Sequence, residues 1–219
     1  MQKISDLFDL SKSIAAPLFD GHEYAFEVLP HIKGFILQLG ATLDPNEFDH
    51  PAPTVWIARD AQVAPTAFIG ENVIIDEGAE VRHCAFIRGN AIIGKGAVVG
   101  NSTELKNCVI FDGAQCPHYN YVGDSVLGYK AHMGAAAITS NVKGDKKLVV
   151  LRCGDERMET GMKKVGAMLG DFAEIGCGSV LNPGTVIGRD TQVYPLTSVR
   201  GDIGAGMIVK DMENIIARK

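Results

Sequence analysis

The stretch around His118 places an imidazole next to two phenol side chains, Tyr119 and Tyr121. Histidine is the side chain whose ordinary pKa lies nearest neutrality, so His118 is a candidate general base. Two cations, Arg88 and Lys106, precede it and are separated by eighteen residues. Cations held at a fixed spacing predict a site for an anion, most naturally a phosphate. These residues therefore suggest proton transfer beside a phosphate-bearing substrate.

A simpler interpretation stays open for the same residues. Arg88 and Lys106 could be solvated surface charges that pair with Glu104 or Asp124. A single histidine such as His118 is often a structural residue of a turn. The choice between the two interpretations depends on the structural elements that position these side chains.

A six-residue repeat begins at residue 55 and predicts the scaffold of these residues. An apolar residue falls at every sixth position, and the residue two positions earlier is Val, Ala or Thr. Three such hexapeptides close one triangular coil of a β-helix, so residues eighteen apart stack on adjacent strands about 4.8 Å apart. Pro117 falls on a repeat position, where an inward aliphatic is expected. The repeat positions are Ile57, Val63, Ile69, Ile75, Val81, Ile87, Ile93, Val99, Leu105 and Phe111, followed later by Leu169, Ile175, Leu181, Ile187, Val193 and Val199.

Three segments lie outside this repeat. Residues 1–50 have helical periodicity and are predicted to form a helical N-terminal cap on the first coil. Residues 51–205 form the β-helix domain, from which a charged loop at about 140–166 is extruded. Loops that leave a rigid scaffold often carry function. Residues 206–219 are predicted to be a C-terminal tail.

Composition and charge restrict the class of protein. The chain has 219 residues, a net charge of −5 and no run of eighteen apolar residues, so neither a nucleic-acid partner nor a membrane span is expected. The five cysteines are odd in number and lack C-x-x-C spacing. Reduced thiols and a cytoplasmic location are therefore predicted, with no bound metal.

Three segments carry a resemblance to a known family. NSTELKN (101–107), PHYNYVGDSVLG (117–128) and GAAAITSN (134–141) are similar to the acetyltransferase domain of the bifunctional glucosamine-1-phosphate acetyltransferase/N-acetylglucosamine-1-phosphate uridyltransferase of bacteria and archaea. The resemblance covers about residues 55–205. It implies an all-β, left-handed parallel β-helix of hexapeptide repeats and a homotrimer with sites at subunit interfaces. It also implies acetyl-CoA as co-substrate and an amino sugar phosphate or sugar nucleotide as acceptor.

The same resemblance implies roles for individual residues. His118 would be the general base that accepts the proton of the attacking amine. The sugar phosphate would be held by Arg88 and Lys106. An edge with open backbone carbonyl and N–H groups would bind the extended arm of CoA. The other implied substrate-binding residues are Tyr121, His132, Asn141 and Lys147, and the implied CoA-binding residues are Ala135, Cys177 and Pro195.

Departures from the family pattern leave other functions open. His132 stands where the family has Asn, Val142 replaces a Tyr, and the insertion after Lys147 is longer. Residues 1–50 lack a Gly-rich phosphate loop, so uridyltransferase activity is expected to be absent. The alternatives are a non-catalytic sugar-nucleotide-binding or structural trimer, and acyl transfer to another acceptor such as a nucleotide-linked amino sugar. A metalloenzyme resembling γ-class carbonic anhydrase, with ligands among the histidines, is a further alternative.

Overall fold

The computed structural model describes residues 1–218 and contains short helices followed by many short strands. The α-helices are α1 (Ile4–Leu7) and α2 (Ile32–Gly40), and the 3₁₀ turns are Leu10–Lys12, Ala16–Phe19 and Ala25–Val28. The strands are β1 (Phe48–Ala52), β2 (Val55–Ala58), β3 (Gln62–Val63), β4 (Phe68–Ile75), β5 (Glu80–Val81), β6 (Phe86–Ile93), β7 (Val98–Asn101), β8 (Glu104–Ile110), β9 (Gln115–His118), β10 (Tyr121–Leu127), β11 (His132–Met133), β12 (Ile138–Thr139), β13 (Val150–Cys153), β14 (Glu156–Glu159), β15 (Ala167–Leu169), β16 (Glu174–Ile175), β17 (Val180–Leu181), β18 (Thr185–Ile187), β19 (Gln192–Val193), β20 (Ser198–Val199), β21 (Asp202–Ile203), β22 (Met207–Asp211) and β23 (Asn214–Ala217).

From β2 to β22 the chain winds as a parallel β-helix with three faces. We call the face that begins with β2 face A, the face that begins with β3 face B, and the face that begins with residues 68–69 of β4 face C. Each inward side chain stacks on its equivalent in the next coil, and together these side chains form one continuous apolar core. The parallel β-helix predicted from the hexapeptides is confirmed.

The repeat loses one residue between β6 and β8, and this corrects the expected positions. The pairing shifts between Ile87 and Gly89, so Ile93 stacks on Ile110 and not on Phe111. The core residue of the next coil is then Cys116, which pairs with Val99. The prediction that Phe111 occupies an inward position was wrong, and so was the prediction that the repeat breaks at Pro117. The phase changes within β8, before His118 is reached.

Phe111 instead faces outward from face A, into a second core beneath the N-terminal segment. It lies 5.1 Å from Phe8 and 5.6 Å from Phe19, measured between ring centroids. The outward residues Ile74, Ile92 and Val109 of the neighbouring strands join the same cluster. Burial of these aromatic rings attaches the N-terminal segment to the side of the β-helix.

The N-terminal segment runs along the β-helix as a lengthwise strap, and its last residues enter β1, which pairs antiparallel with β2 at the first coil. At its start, the backbone N–H of Gln2 donates to Asp202 in a late coil at 2.7 Å. Near its end, α2 packs against β4, β6 and β8, and Gly40 lies against Trp56 of β2. The strap therefore connects coils that are far apart in sequence.

The insertion and the C-terminus both form hairpins. Between β12 and β15, strands β13 and β14 pair antiparallel, and the apolar side chains Val149, Leu151 and Val165 are buried in the second core. At the C-terminus, β22 continues face B and pairs antiparallel with β23. The segment predicted as a tail is thus part of the sheet as far as Ala217. No helix within residues 1–218 is long and apolar enough to cross a membrane.

Candidate active site

The corner between faces C and A is built from stacked Asn and Asp residues, which we call the Asx ladder: Asn72, Asn90, Asn107 and Asp124. Their φ angles lie between 49° and 55°, in the left-handed region that Asn and Asp tolerate better than other side chains do. Asn72 donates to Asn90 at 3.0 Å, and Asn107 donates to Asp124 at 3.0 Å. The sharp turn of each coil explains why these residue types recur here.

Asp124 is the carboxylate on which several predicted site residues converge. Lys106 Nζ lies 2.8 and 3.0 Å from its two oxygens. Asn141 Nδ2 donates to the same carboxylate at 2.6 Å and to the Tyr121 hydroxyl at 3.1 Å. Burial raises the pKa of Tyr121, although the hydrogen bond from Asn141 opposes this shift. The phenol therefore stays protonated near neutral pH and can donate a hydrogen bond to a ligand.

Arg88 and Lys106 line one cleft, but they are not register neighbours. Because of the shift between β6 and β8, Lys106 pairs with Gly89, and Arg88 occupies the bulge. Arg88 pairs with Glu104 at 2.8 Å, so both cations have the carboxylate partners that the simpler interpretation named. The cleft has a volume of about 450 Å³ and gains a third cation, Lys33, from the strap.

His118 lies at the opposite edge of face C, at the corner between faces B and C. Its side chain is exposed, and its ring makes no hydrogen bond within residues 1–218. The next residue, Tyr119, turns the corner with φ 52°. Buried Asn120 fixes this turn, because its side chain accepts from the His118 N–H at 3.1 Å and donates to the carbonyls of Gly134 and Ala137.

Tyr121 connects the two edges of face C. It follows the His118 turn directly, and its hydroxyl group lies over Gly123, where any added Cβ would overlap the phenol ring. Gly123 is the register partner of Lys106. The phenol thus extends from the histidine corner toward the cation cleft, across a strip only three residues wide. His118 and the cleft are therefore placed on the two sides of one narrow surface.

The residues implied for CoA stack in a column beyond His118. The carbonyls of His118, Ala135 and Cys177 accept, in turn, the N–H groups of Ala136, Gly178 and Leu196 at 2.8–3.0 Å. Pro195 precedes Leu196 in this column. The carbonyls expected to be open are therefore occupied at these three positions, which corrects that expectation. A ligand at these three positions would therefore contact side chains and not free carbonyl groups.

Two implied substrate residues lie apart from the convergence on Asp124. His132 projects from face B and pairs with Glu174, with Nδ1 3.0 Å from the carboxylate oxygen. Lys147 belongs to the exposed turn that precedes β13. The structure thus brings Lys106, Tyr121 and Asn141 together and leaves His132 and Lys147 outside their network.

Sequence reasoning missed two members of the site. Asp124 was named only as a possible partner of the two cations and as part of the segment 117–128, although the recurrence of Asn or Asp at positions 72, 90, 107, 124 and 141 could have indicated a stacked ladder. Lys33 had no detectable signal, because it reaches the cleft from outside the repeat. Within residues 1–218, no three His, Cys, Asp or Glu side chains are grouped closely enough to hold a metal ion.

Comparison with known proteins confirms the resemblance over part of the chain. A family model described as the GMPPB C-terminal domain matches residues 69–153. A bifunctional sugar-1-phosphate nucleotidylyltransferase/acetyltransferase of Sulfurisphaera tokodaii is 35% identical over 112 residues, which are 51% of this chain and 28% of that protein. The bifunctional protein GlmU of Methanococcus aeolicus is 32% identical over 120 residues, or 55% of this chain and 29% of that protein. The chain therefore matches less than a third of the length of these relatives.

A solved structure with a similar fold is a mutant of GDP-perosamine N-acetyl transferase from Caulobacter crescentus, in complex with CoA and GDP-perosamine. It is 20% identical, and the alignment covers 76% of this chain and 57% of that one with a TM-score of 0.36.

Proposed function

We propose that this protein is an acetyl-CoA-dependent N-acetyltransferase that acts on an amino sugar phosphate. The observation that carries the proposal is the placement of an exposed histidine and a three-cation cleft on the two sides of one strip of face C. The local similarity to a bifunctional sugar-1-phosphate nucleotidylyltransferase/acetyltransferase supports the same chemistry.

The cleft would hold the phosphate of the acceptor. Lys33, Arg88 and Lys106 provide cationic donors around it. Two of these cations already pair with carboxylates, so an incoming phosphate would compete with Glu104 for Arg88 and with Asp124 for Lys106. Exposed Arg88 is the easier of the two to redirect, because its pair is open to solvent. Lys106 stays tied to the buried network and acts as a fixed positive charge.

His118 would act on the amine of the bound sugar. An ammonium group has no free electron pair, so a base must accept a proton before or during attack on the thioester. Solvent takes one proton of the ammonium group, and the neutral amine nitrogen then bonds to the acetyl carbonyl carbon while His118 accepts a second proton from that nitrogen. The carbon–sulfur bond breaks, and the proton held by His118 passes to the departing thiolate, which leaves as the CoA thiol. The Asn120 side chain accepts a hydrogen bond from the backbone N–H of His118, and this bond fixes the backbone position from which the imidazole projects. Tyr121, as a neutral phenol, is placed to donate to a sugar hydroxyl group.

Thiol release from acetyl-CoA tests this function directly. With glucosamine-1-phosphate as acceptor, we expect saturable release of CoA together with stoichiometric N-acetyl product. Glucosamine without phosphate is expected to need a much higher concentration, because it lacks the group that the cleft binds. A chain that releases no CoA with any phosphorylated amino sugar or nucleotide-linked amino sugar would contradict the proposal and favour a non-catalytic binding protein.

We also propose that the chain forms a homotrimer. Phe68 and Phe86 are exposed on face C, where their rings pack edge to face at 5.4 Å. Glu104 and Tyr121 follow Phe86 in the same outward row, and the half-buried Ile138 and Val180 come after them. The exposed phenylalanine pair would be covered by a second copy beside the site. Light scattering should give a mass of three 23.4-kDa chains. A monomeric mass at assay concentration would overturn the proposed assembly.

A further inference from the structure

We propose that the insertion and the late coils form a second anion site, which binds the diphosphate group of a nucleotide. The site is a cleft of about 560 Å³ between the turn before β13, the hairpin itself and the corners after β17 and β20. It is distinct from the cleft that contains Arg88 and Lys106, since the two clefts share no lining residue.

The charged lining of this cleft favours an anion. Lys143, Arg152 and Arg200 line it together with one acid, Asp145. Asp145 pairs with Lys143 at 3.3 Å, whereas neither Arg152 nor Arg200 forms an ion pair within residues 1–218. Both guanidinium groups are exposed. Guanidinium groups bind phosphate oxygens with paired hydrogen bonds, so they suit a diphosphate.

Arg200 occupies the same position of the coil as Lys106. Lys106 follows the inward residue Leu105, and Arg200 follows the inward residue Val199, four strands further along face C. At about 4.8 Å per strand, the two positions are about 19 Å apart along the same corner. The three strands between them place small or uncharged residues at this position: Gly123, Ser140 and Asn182. Positive charge therefore returns only where the insertion folds over the coil.

The rest of the lining favours a nucleotide over a free inorganic anion. Val142, Val150 and Pro183 add apolar surface beside the cations, as a base or ribose would require. Gly184 and Gly201, both with positive φ, form the turns beside these residues. The diphosphate could belong to a sugar nucleotide or to the adenosine end of coenzyme A. The shared chemistry is a nucleoside diphosphate.

Equilibrium binding of UDP, GDP, ADP and CoA to the full chain, measured by calorimetry, tests the site. The variant Arg152→Gln/Arg200→Gln should weaken binding of the cognate nucleotide about tenfold or more, since it removes two charge-assisted contacts. Lys163→Gln is the matched control, because Lys163 is an exposed cation of the same insertion that does not line the cleft. It should keep the wild-type affinity. Binding should also weaken as salt is added.

The pattern of probes identifies the source of the diphosphate. If affinity for CoA and ADP falls in the double variant, the cleft holds the coenzyme. If only affinity for UDP or GDP falls, the cleft holds a sugar nucleotide. The proposal is overturned if no probe binds the wild type, or if the double variant, folded by its melting curve, binds as tightly as the wild type.

The ligand's role rests on the proposed acetyl transfer, but its binding does not. His118→Asn should retain nucleotide affinity and lose turnover. A chain that binds nucleotide through Arg152 and Arg200 yet never releases CoA would disprove the transferase function and leave the anion site standing.

Discussion

Replacing His118 with asparagine is expected to lower kcat for acetyl transfer by about 10²–10⁴-fold, the usual contribution of a positioned general base. Asparagine keeps a polar side chain at this exposed position but cannot accept the proton of the amine. The KM for the sugar phosphate should change little, because the cation cleft lies at the other edge of face C. Steady-state release of CoA as a function of acceptor concentration separates the two constants.

His83 supplies the matched control for this substitution. It lies at the same corner of the β-helix two coils earlier, is also exposed, and bonds through Nδ1 to the Thr66 hydroxyl at 2.9 Å. His83→Asn should leave kcat within about twofold of the wild type, as expected for a surface change away from the reacting atoms. Equal losses in the two variants, or full activity of His118→Asn, would show that His118 is not the base.

The hexapeptide pattern predicted the fold because its physical cause is local. The third side chain of each hexapeptide must fill a narrow triangular core, so apolar residues of similar size recur there. The late repeat positions from Leu169 to Val199 all lie in that core. The handedness followed from the resemblance to hexapeptide acyltransferases and not from the spacing.

The hexapeptide pattern could not locate the coil in which the repeat loses one residue. A coil of seventeen residues differs from one of eighteen by a single position, and the bulge at Arg88 absorbs the difference inside a strand. Phe111 is as apolar as the core position requires, so the sequence continues to look regular. It packs against Phe8 and Phe19 instead, which only the path of the strap reveals.

The candidate site, like the fold, could be predicted from the sequence only in part. His118, Tyr121 and Lys106 were identifiable because they interrupt the repeat or carry the resemblance. Lys33 was not, because α2 approaches the cleft from some seventy residues away in sequence. Contacts between a repeat and a segment outside it depend on the tertiary packing of apolar surfaces, which has no periodicity to read.

Replacing Asp124 with asparagine is expected to destabilise the fold by about 2–4 kcal/mol, because removing one partner of a largely buried ion pair leaves the other charge uncompensated. The carboxylate is 6% exposed and Lys106 is 25% exposed. Asparagine fits the left-handed turn and has nearly the same size, so loss of charge is the main change. A chain of this length should melt about 4–16 °C lower. Thermal and urea unfolding measure the effect.

The exposed Arg88–Glu104 pair is the control for this substitution. It shows how much stability an ion pair contributes when its side chains are not buried. Its side chains are 46% and 32% exposed, so Glu104→Gln should cost less than about 1 kcal/mol. Lys106→Met combined with Asp124→Asn should cost less than the sum of the two single changes, because the second substitution removes the charge that the first leaves unpaired. Additive losses would mean that the Asx ladder, and not the buried charge pair, determines the contribution of Asp124. In that case the ion pair with Asp124 would not hold Lys106 in place, and the Lys106 side chain could turn fully toward a bound phosphate.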